Sequence, residues 1–117
     1  LLGSPGERAV CEGIRRLAPA ARNLAGETSL LEAVDLLSAA DAVVCNDSGL
    51  MHVAGAVGTR VVAVFGSTSP GFTPPLGADA RVAQLDLPCS PCFQRTCPLG
   101  HQRCLEELEP ERVIAWL

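Results

Sequence analysis

The chain has 117 residues, 48% of them apolar, which is one domain's worth of sequence with enough apolar material for a core and excludes a disordered segment. The net charge is −4 and all nine cations are Arg, scattered without a stripe, which excludes a nucleic-acid track and an interfacial basic helix. No apolar run reaches the roughly 18 residues of a membrane span, and no basic, apolar, small-residue succession marks an export signal.

Leu1-Leu2-Gly3-Ser4 reads as the tail of a strand already in progress, so the chain is expected to begin inside a larger protein. Ser4-Pro5-Gly6-Glu7 then opens a helix. Ser is a good N-cap, Pro fits the first helical position, and Glu three residues after the cap completes a capping box. Val10, Ile14 and Leu17 fall on one face of that helix. A short strand is expected near Arg22–Leu24. A second helix starts at Ser29, again with a Glu three residues on, and carries Leu30, Val34 and Leu37 on one face with Leu31 beside them. Ala42-Val43-Val44-Cys45 reads as a buried strand. A helix over Leu50–Val57 stops at Gly58, a residue type that favours helix ends. Val61–Phe65 is the strongest strand, residues 66–80 form a loop, and Arg81–Leu85 is a further strand. A final helix starts near Pro110. This alternation predicts an α/β fold: a Rossmann-like parallel sheet with helices on both faces.

The most informative stretch is Asn46-Asp47-Ser48-Gly49-Leu50-Met51-His52. It leaves the carboxyl end of a parallel strand and enters a helix, the place where open α/β sheets bind ligands. The first helix amides have no internal partner and carry partial positive charge. They can hold a phosphate without any Lys. The competing reading is that Asp47 or Ser48 is only an N-cap. The second loop, Gly66-Ser67-Thr68-Ser69-Pro70-Gly71, follows the neighbouring strand. The hydroxyls of Ser67 and Thr68 and the Gly amides there suit sugar or phosphate oxygens, against the alternative of an ordinary polar turn.

Six Cys is many for a chain without an export signal, and points to free thiols, metal ligands or redox groups rather than structural disulfides. Cys89-x2-Cys92-x4-Cys97-x3-His101-x2-Cys104 has the ligand types of a structural zinc site: Cys89, Cys92, Cys97 and Cys104, or three of them with His101. Its spacing departs from paired two-residue knuckles, so disulfides and plain reduced thiols remain open. Cys11 and Cys45 sit in the helix and strand patterns as small buried hydrophobes.

Taken together, N-D-S-G-L-M-H-V-A, then V-F-G-S-T-S-P-G-F-T-P-P-L, then C-S-P-C-F-Q-R-T-C-P-L-G-H-Q-R-C-L resemble the ADP-heptose:lipopolysaccharide heptosyltransferases, glycosyltransferase family 9. They are most like the subgroup that adds the second core heptose. The likeness covers essentially the whole chain and implies that residues 1–117 are the donor-binding, C-terminal half of a GT-B glycosyltransferase. It implies ADP-heptose as donor and a lipid A-core acceptor bound by a separate N-terminal domain. Transfer would be inverting and need no metal cofactor, in the cytoplasm and peripheral to the inner membrane. By the resemblance, Asp47 contacts the heptose or its phosphate side, and Ser48, Gly49 and Leu50 contact the diphosphate. Thr28 lies near the adenine. Glu7 binds ribose hydroxyls, although its capping box explains it equally well. His52 reads as structural. The family's catalytic base and a phosphate-binding Lys are expected upstream of Leu1, so the chain by itself is expected to lack turnover. Two other classes stand beside this one: a non-catalytic Rossmann-type nucleotide-binding or regulatory module, and a zinc-stabilised interaction domain worked by the cysteine segment.

Overall fold

The computed structural model describes residues 1–117 and divides into two compact units, Leu1–Leu36 and Leu37–Leu117. In the first unit, Pro5–Glu7 forms a short 3-10 turn behind the Ser4 N-cap and runs into α1 (Arg8–Leu17). Glu7 closes the expected capping box: its Oε2 accepts from the Ser4 N–H at 2.6 Å and from the Ser4 hydroxyl at 2.7 Å. The same device recurs at α2 (Leu30–Ser38), where Glu32 accepts from the N–H and hydroxyl of Ser29, both at 2.7 Å.

Two expectations fail in this unit. Residues 22–24 do not form a regular strand. They run beside residues 1–3, with Leu24 N–H donating to the Leu1 carbonyl and Gly26 N–H to that of Gly3, both at 2.9 Å. Gly26 then turns away at φ +74, pressed so close to Pro5 that a Cβ there would meet its Cα at 2.8 Å, so the ladder stops short. The apolar stripe of α1 is also not buried: Val10 is 68% exposed and Leu17 90%. What this unit buries is small, namely Cys11, Ala25 and Ala33. Periodicity finds an apolar face but not what covers it. Leu30 and Leu31 of α2 are exposed for the same reason, while Leu37 is buried and Val34 half-buried.

The second unit contains a three-stranded parallel sheet in the order β1 (Ala42–Asn46), β2 (Arg60–Val64), β3 (Ala80–Ala83). β-Branched residues suit all three strands, and the central one is most protected. Val61, Val62 and Ala63 are fully buried, whereas β1 lies at the edge and leaves Val44 half exposed. The expectation of a fully buried strand at 42–45 therefore fails, because only one flank of β1 is paired. On one sheet face Val62, Ala83 and Leu108 cluster with Val64, Leu85 and Val113. Successive strand residues face opposite ways, so Val61 and Ala63 point to the other side. α3 (Gly49–Ala56) packs against β1 and β2 and buries Met51 and Ala54. Burying a side chain such as Met51 or Phe65 is worth about 1.5–3 kcal/mol.

α3 ends at Ala56, and the chain turns away through Gly58, whose φ of +87 suits glycine. β2 leads to β3 through the expected long loop, and that loop is pinned to α3. Gly55 is buried, and a Cβ on it would collide with the Leu76 carbonyl. β3 is shorter than its sequence pattern. A four-residue helix that periodicity is too coarse to resolve, α4 (Arg103–Glu106), carries the last cysteine of the segment, Cys104. α5 (Pro110–Ile114) starts at the expected proline.

Candidate functional site

β1 and β2 are parallel and in register up to Asn46 opposite Val64. Their carboxyl ends therefore open on one edge of the sheet, and the loops that follow leave from that edge side by side, as the sequence predicts. A hydrogen bond ties them together. Thr73 Oγ1 donates to Asp47 Oδ2 at 3.0 Å across 26 residues. Ser48 is the N-cap of α3 by its extended backbone, but no side chain caps the helix. Met51 N–H bonds to the Ser48 carbonyl at 3.1 Å. The amides of Gly49 and Leu50, ahead of it, point out of the helix end by the geometry common to all helices. Nothing lies within 4 Å of where a Gly49 Cβ would stand, so this fold's own packing does not demand glycine there. Asp47, Ser48, Leu50 and His52 are all half-buried.

The second loop is anchored through its backbone. The Gly66 carbonyl accepts from Ser90 Oγ at 2.6 Å, the Ser67 carbonyl from Phe93 N–H at 2.7 Å, and the Thr68 carbonyl from Gln84 Nε2 at 3.3 Å. Ser69 takes the N–H groups of Phe72 and Thr73, and Phe72 meets Phe93 edge to face with ring centres 5.7 Å apart. These bonds engage the carbonyls of Ser67 and Thr68, while their half-buried hydroxyls take part in none of them.

Glu7 and Thr28 belong to the first unit. Ser4 occupies Glu7 Oε2 and holds the carboxyl below its ordinary range, through the Ser4 backbone N–H first and its hydroxyl second. The second oxygen is not used by the cap. Thr28 is half-buried just ahead of α2.

Cys89, Cys92, Cys97, Cys104 and His101 line one cavity of about 280 Å³ that Ser67 of the second loop also borders. All four cysteines are unpaired and half-buried. The backbone N–H of Gln102, assisted by those of Leu99, His101 and Gly100, holds the Cys97 thiol below its ordinary range. Burial, followed by the neighbouring Cys97, Cys92 and Cys89, pushes Cys104 up. No three His, Cys, Asp or Glu side chains stand in a group ready to hold a metal ion. Of the two remaining cysteines, Cys11 is buried as expected. Cys45 is only half-buried on the edge strand, and burial pushes its thiol up to about 11.

Sequence reasoning missed Thr73, Gln84, Ser90 and Phe93, which fix the two loops. Each acts through a partner 16 to 26 residues away, and no local periodicity carries that pairing.

The family model for glycosyltransferase family 9 (heptosyltransferase) matches residues 1–103. The chain is 46% identical over 93 residues to lipopolysaccharide heptosyltransferase 2 of Salmonella typhimurium, covering 80% of this chain and 27% of that protein. It is 38% identical over 122 residues to lipooligosaccharide heptosyltransferase 2 of Haemophilus ducreyi, covering 97% and 35%. The solved structure of Escherichia coli ADP-heptose lps heptosyltransferase II superposes with a TM-score of 0.80 at 40% identity over 99% of this chain and 34% of that one. The chain thus spans about a third or less of the relatives it matches. No helix is long and apolar enough to cross a membrane. With its parallel sheet, its paired loops and these matches, the chain belongs to glycosyltransferase family 9, the heptosyltransferases.

Proposed function

We propose that residues 1–117 are the donor-binding part of a GT-B enzyme. That enzyme moves L-glycero-D-manno-heptose from ADP-heptose to the inner core of lipopolysaccharide. The observation that carries this reading is the disposition of Asp47. Its carboxylate is turned to Thr73 rather than spent on capping α3, at the carboxyl edge of a parallel sheet. A carboxylate beside a diphosphate repels it, so Asp47 is better used on sugar hydroxyls or on the positive charge that builds at the anomeric carbon. The amides of Gly49 and Leu50 and the hydroxyls of Ser48, Ser67 and Thr68 then receive the diphosphate and sugar oxygens and stabilise the ADP leaving group. Glu7 offers its unused oxygen to the ribose, and Thr28 lies by the adenine. A base outside this chain takes the acceptor proton, and inversion follows without a metal ion. The acceptor is the lipid A-core, held by a separate domain, at the cytoplasmic side of the inner membrane.

The test is transfer by the full-length protein. Incubated with ADP-heptose and heptose-deficient core acceptors, it should add one heptose by mass spectrometry and should fail with ADP-glucose. Binding of ADP and ADP-sugars alike, with no transfer to any core acceptor, would instead identify a nucleotide-binding module.

A further inference from the structure

A trans peptide unit is planar and sets its C=O and N–H in opposite directions, so whatever holds a carbonyl also decides where the next residue's amide points. In the loop after β2 three successive carbonyls are held. Ser90 Oγ donates to the Gly66 carbonyl at 2.6 Å, Phe93 N–H to that of Ser67 at 2.7 Å, and Gln84 Nε2 to that of Thr68 at 3.3 Å. All three donors come from residues 84–93, and the loop's own peptide bonds are trans. The N–H groups of Ser67, Thr68 and Ser69 therefore point away from their holders, and none of the bonds that fix the loop uses them. The root of the loop is confined as well. Gly66 is buried, and a Cβ on it would stand 2.8 Å from the Leu105 side chain of α4 and 3.2 Å from the Cys104 sulfur. The far end is closed by the Ser69 carbonyl, which takes the N–H groups of Phe72 and Thr73 at 3.0 and 3.2 Å. Successive N–H groups turned out of a loop in this way make an anion-binding concavity. This one leaves the carboxyl edge of β2 beside the Asp47 turn.

We propose that Gln84 and Ser90 are positioning residues for the donor: they turn the amides of Ser67, Thr68 and Ser69 toward the diphosphate of a nucleotide sugar. The amides meet phosphate oxygens alongside the hydroxyls of Ser67 and Thr68. Neither Gln84 nor Ser90 needs to touch the ligand, since each acts through a carbonyl. The inference rests on the donor-site reading above and deepens it, giving the segment after β3 the task of aiming a binding loop.

The test uses the full-length protein with ADP as the probe. In isotope-labelled wild-type protein, ADP should shift the amide resonances of Ser67, Thr68 and Ser69, whereas adenosine, which has no phosphate, should not. Ser90→Ala and Gln84→Leu should each weaken ADP binding in calorimetry by roughly two- to tenfold, as loss of one hydrogen bond gives. In turnover the loss should appear as a higher KM for ADP-heptose, with the acceptor KM unmoved and kcat changed less than KM. Ser90→Thr keeps the hydroxyl and should recover ADP binding. A merely structural role would lower the melting temperature and leave the ADP affinity of the folded protein intact. The wild-type resonances are read without any substitution, so a variant that fails to fold does not shelter the proposal. ADP that binds without moving those three amides overturns it, as does wild-type ADP affinity in either Ser90→Ala or Gln84→Leu. Wild-type protein that binds no ADP overturns the donor-site reading as well, which tells the two failures apart.

Discussion

The turns Ser4–Glu7 and Asn46–Ser48 are both helix entrances that contain a carboxylate, and they use it in opposite ways. At the first, Glu7 folds back on Ser4 and completes a cap within four residues. At the second, Asp47 ignores the helix it precedes and takes its hydrogen bond from Thr73, far along the chain. A cap accounts for one oxygen of Glu7 in local terms. No local term explains Asp47, and its position depends on a loop held by α3 and the cysteine segment. The difference separates a carboxylate that stabilises its own turn from one that is kept for something else.

The dependence of Asp47 on its neighbours can be broken at Gly55. Gly55→Ala drives a methyl into the Leu76 backbone and must displace the loop that carries Thr73. In the full-length protein we expect a loss of about 2–3 kcal/mol in denaturant melts, an overpacking cost against a backbone that cannot turn aside. An unchanged melt would show that the loop is not pinned there. Thr73→Val is gentler. It keeps the shape and removes the hydroxyl's contacts with Asp47 Oδ2 and the Ser69 carbonyl, together worth about 0.5–1.5 kcal/mol, so kcat should fall roughly two- to tenfold with only a small drop in melting temperature. A wild-type kcat would mean that the orientation of Asp47 is set elsewhere.

Glu7→Gln sharpens the other side of the comparison. It weakens the Ser4 cap, so a small drop in melting temperature is expected together with a modest rise in KM for the donor and an unchanged kcat. A fall in kcat comparable to that of an Asp47 variant would erase the distinction. The smallest effect is on pH. Contact with Ser4 lowers the folded pKa of Glu7, and contact with Ser29 lowers that of Glu32 in the same way. A folded pKa below the unfolded one gives stability that is present above the unfolded value of about 4.5 and lost as pH falls through the lowered folded value. Acid melts of Glu7→Gln should therefore show a shallower loss of stability across that window than the parent protein. Identical slopes would mean the cap contributes nothing.

Both capping boxes, β2, α3 and the shared edge of the two loops were legible in the sequence, because each rests on residues within one helical turn or one strand. The core-facing side of α1 was not. Its apolar stripe of Val10, Ile14 and Leu17 is exposed, and only tertiary context decides what a stripe meets. The Arg22–Leu24 strand stayed an extended pairing because Gly26 bends the chain beside Pro5. Among the site residues, Asp47 was legible by type and position, but the side chain that orients it was not. The cysteines line one cavity, but no three of them stand together as a group that could hold a metal ion, and their spacing in the sequence did not decide that arrangement.

Asp47 either acts in the reaction or only holds its turn. Asp47→Asn in the full-length protein keeps the side chain's shape and its ability to accept from Thr73, and removes only the charge. Steady-state kinetics with ADP-heptose and core acceptor, taken beside a thermal melt, decide the matter. If Asp47 acts in the reaction, kcat falls roughly tenfold or more with the melting temperature nearly unchanged, as loss of a charge-assisted contact of about 1.5–3 kcal/mol would give. A variant that melts much earlier, while its folded fraction turns over at the wild-type rate, would contradict it and reduce Asp47 to a structural residue.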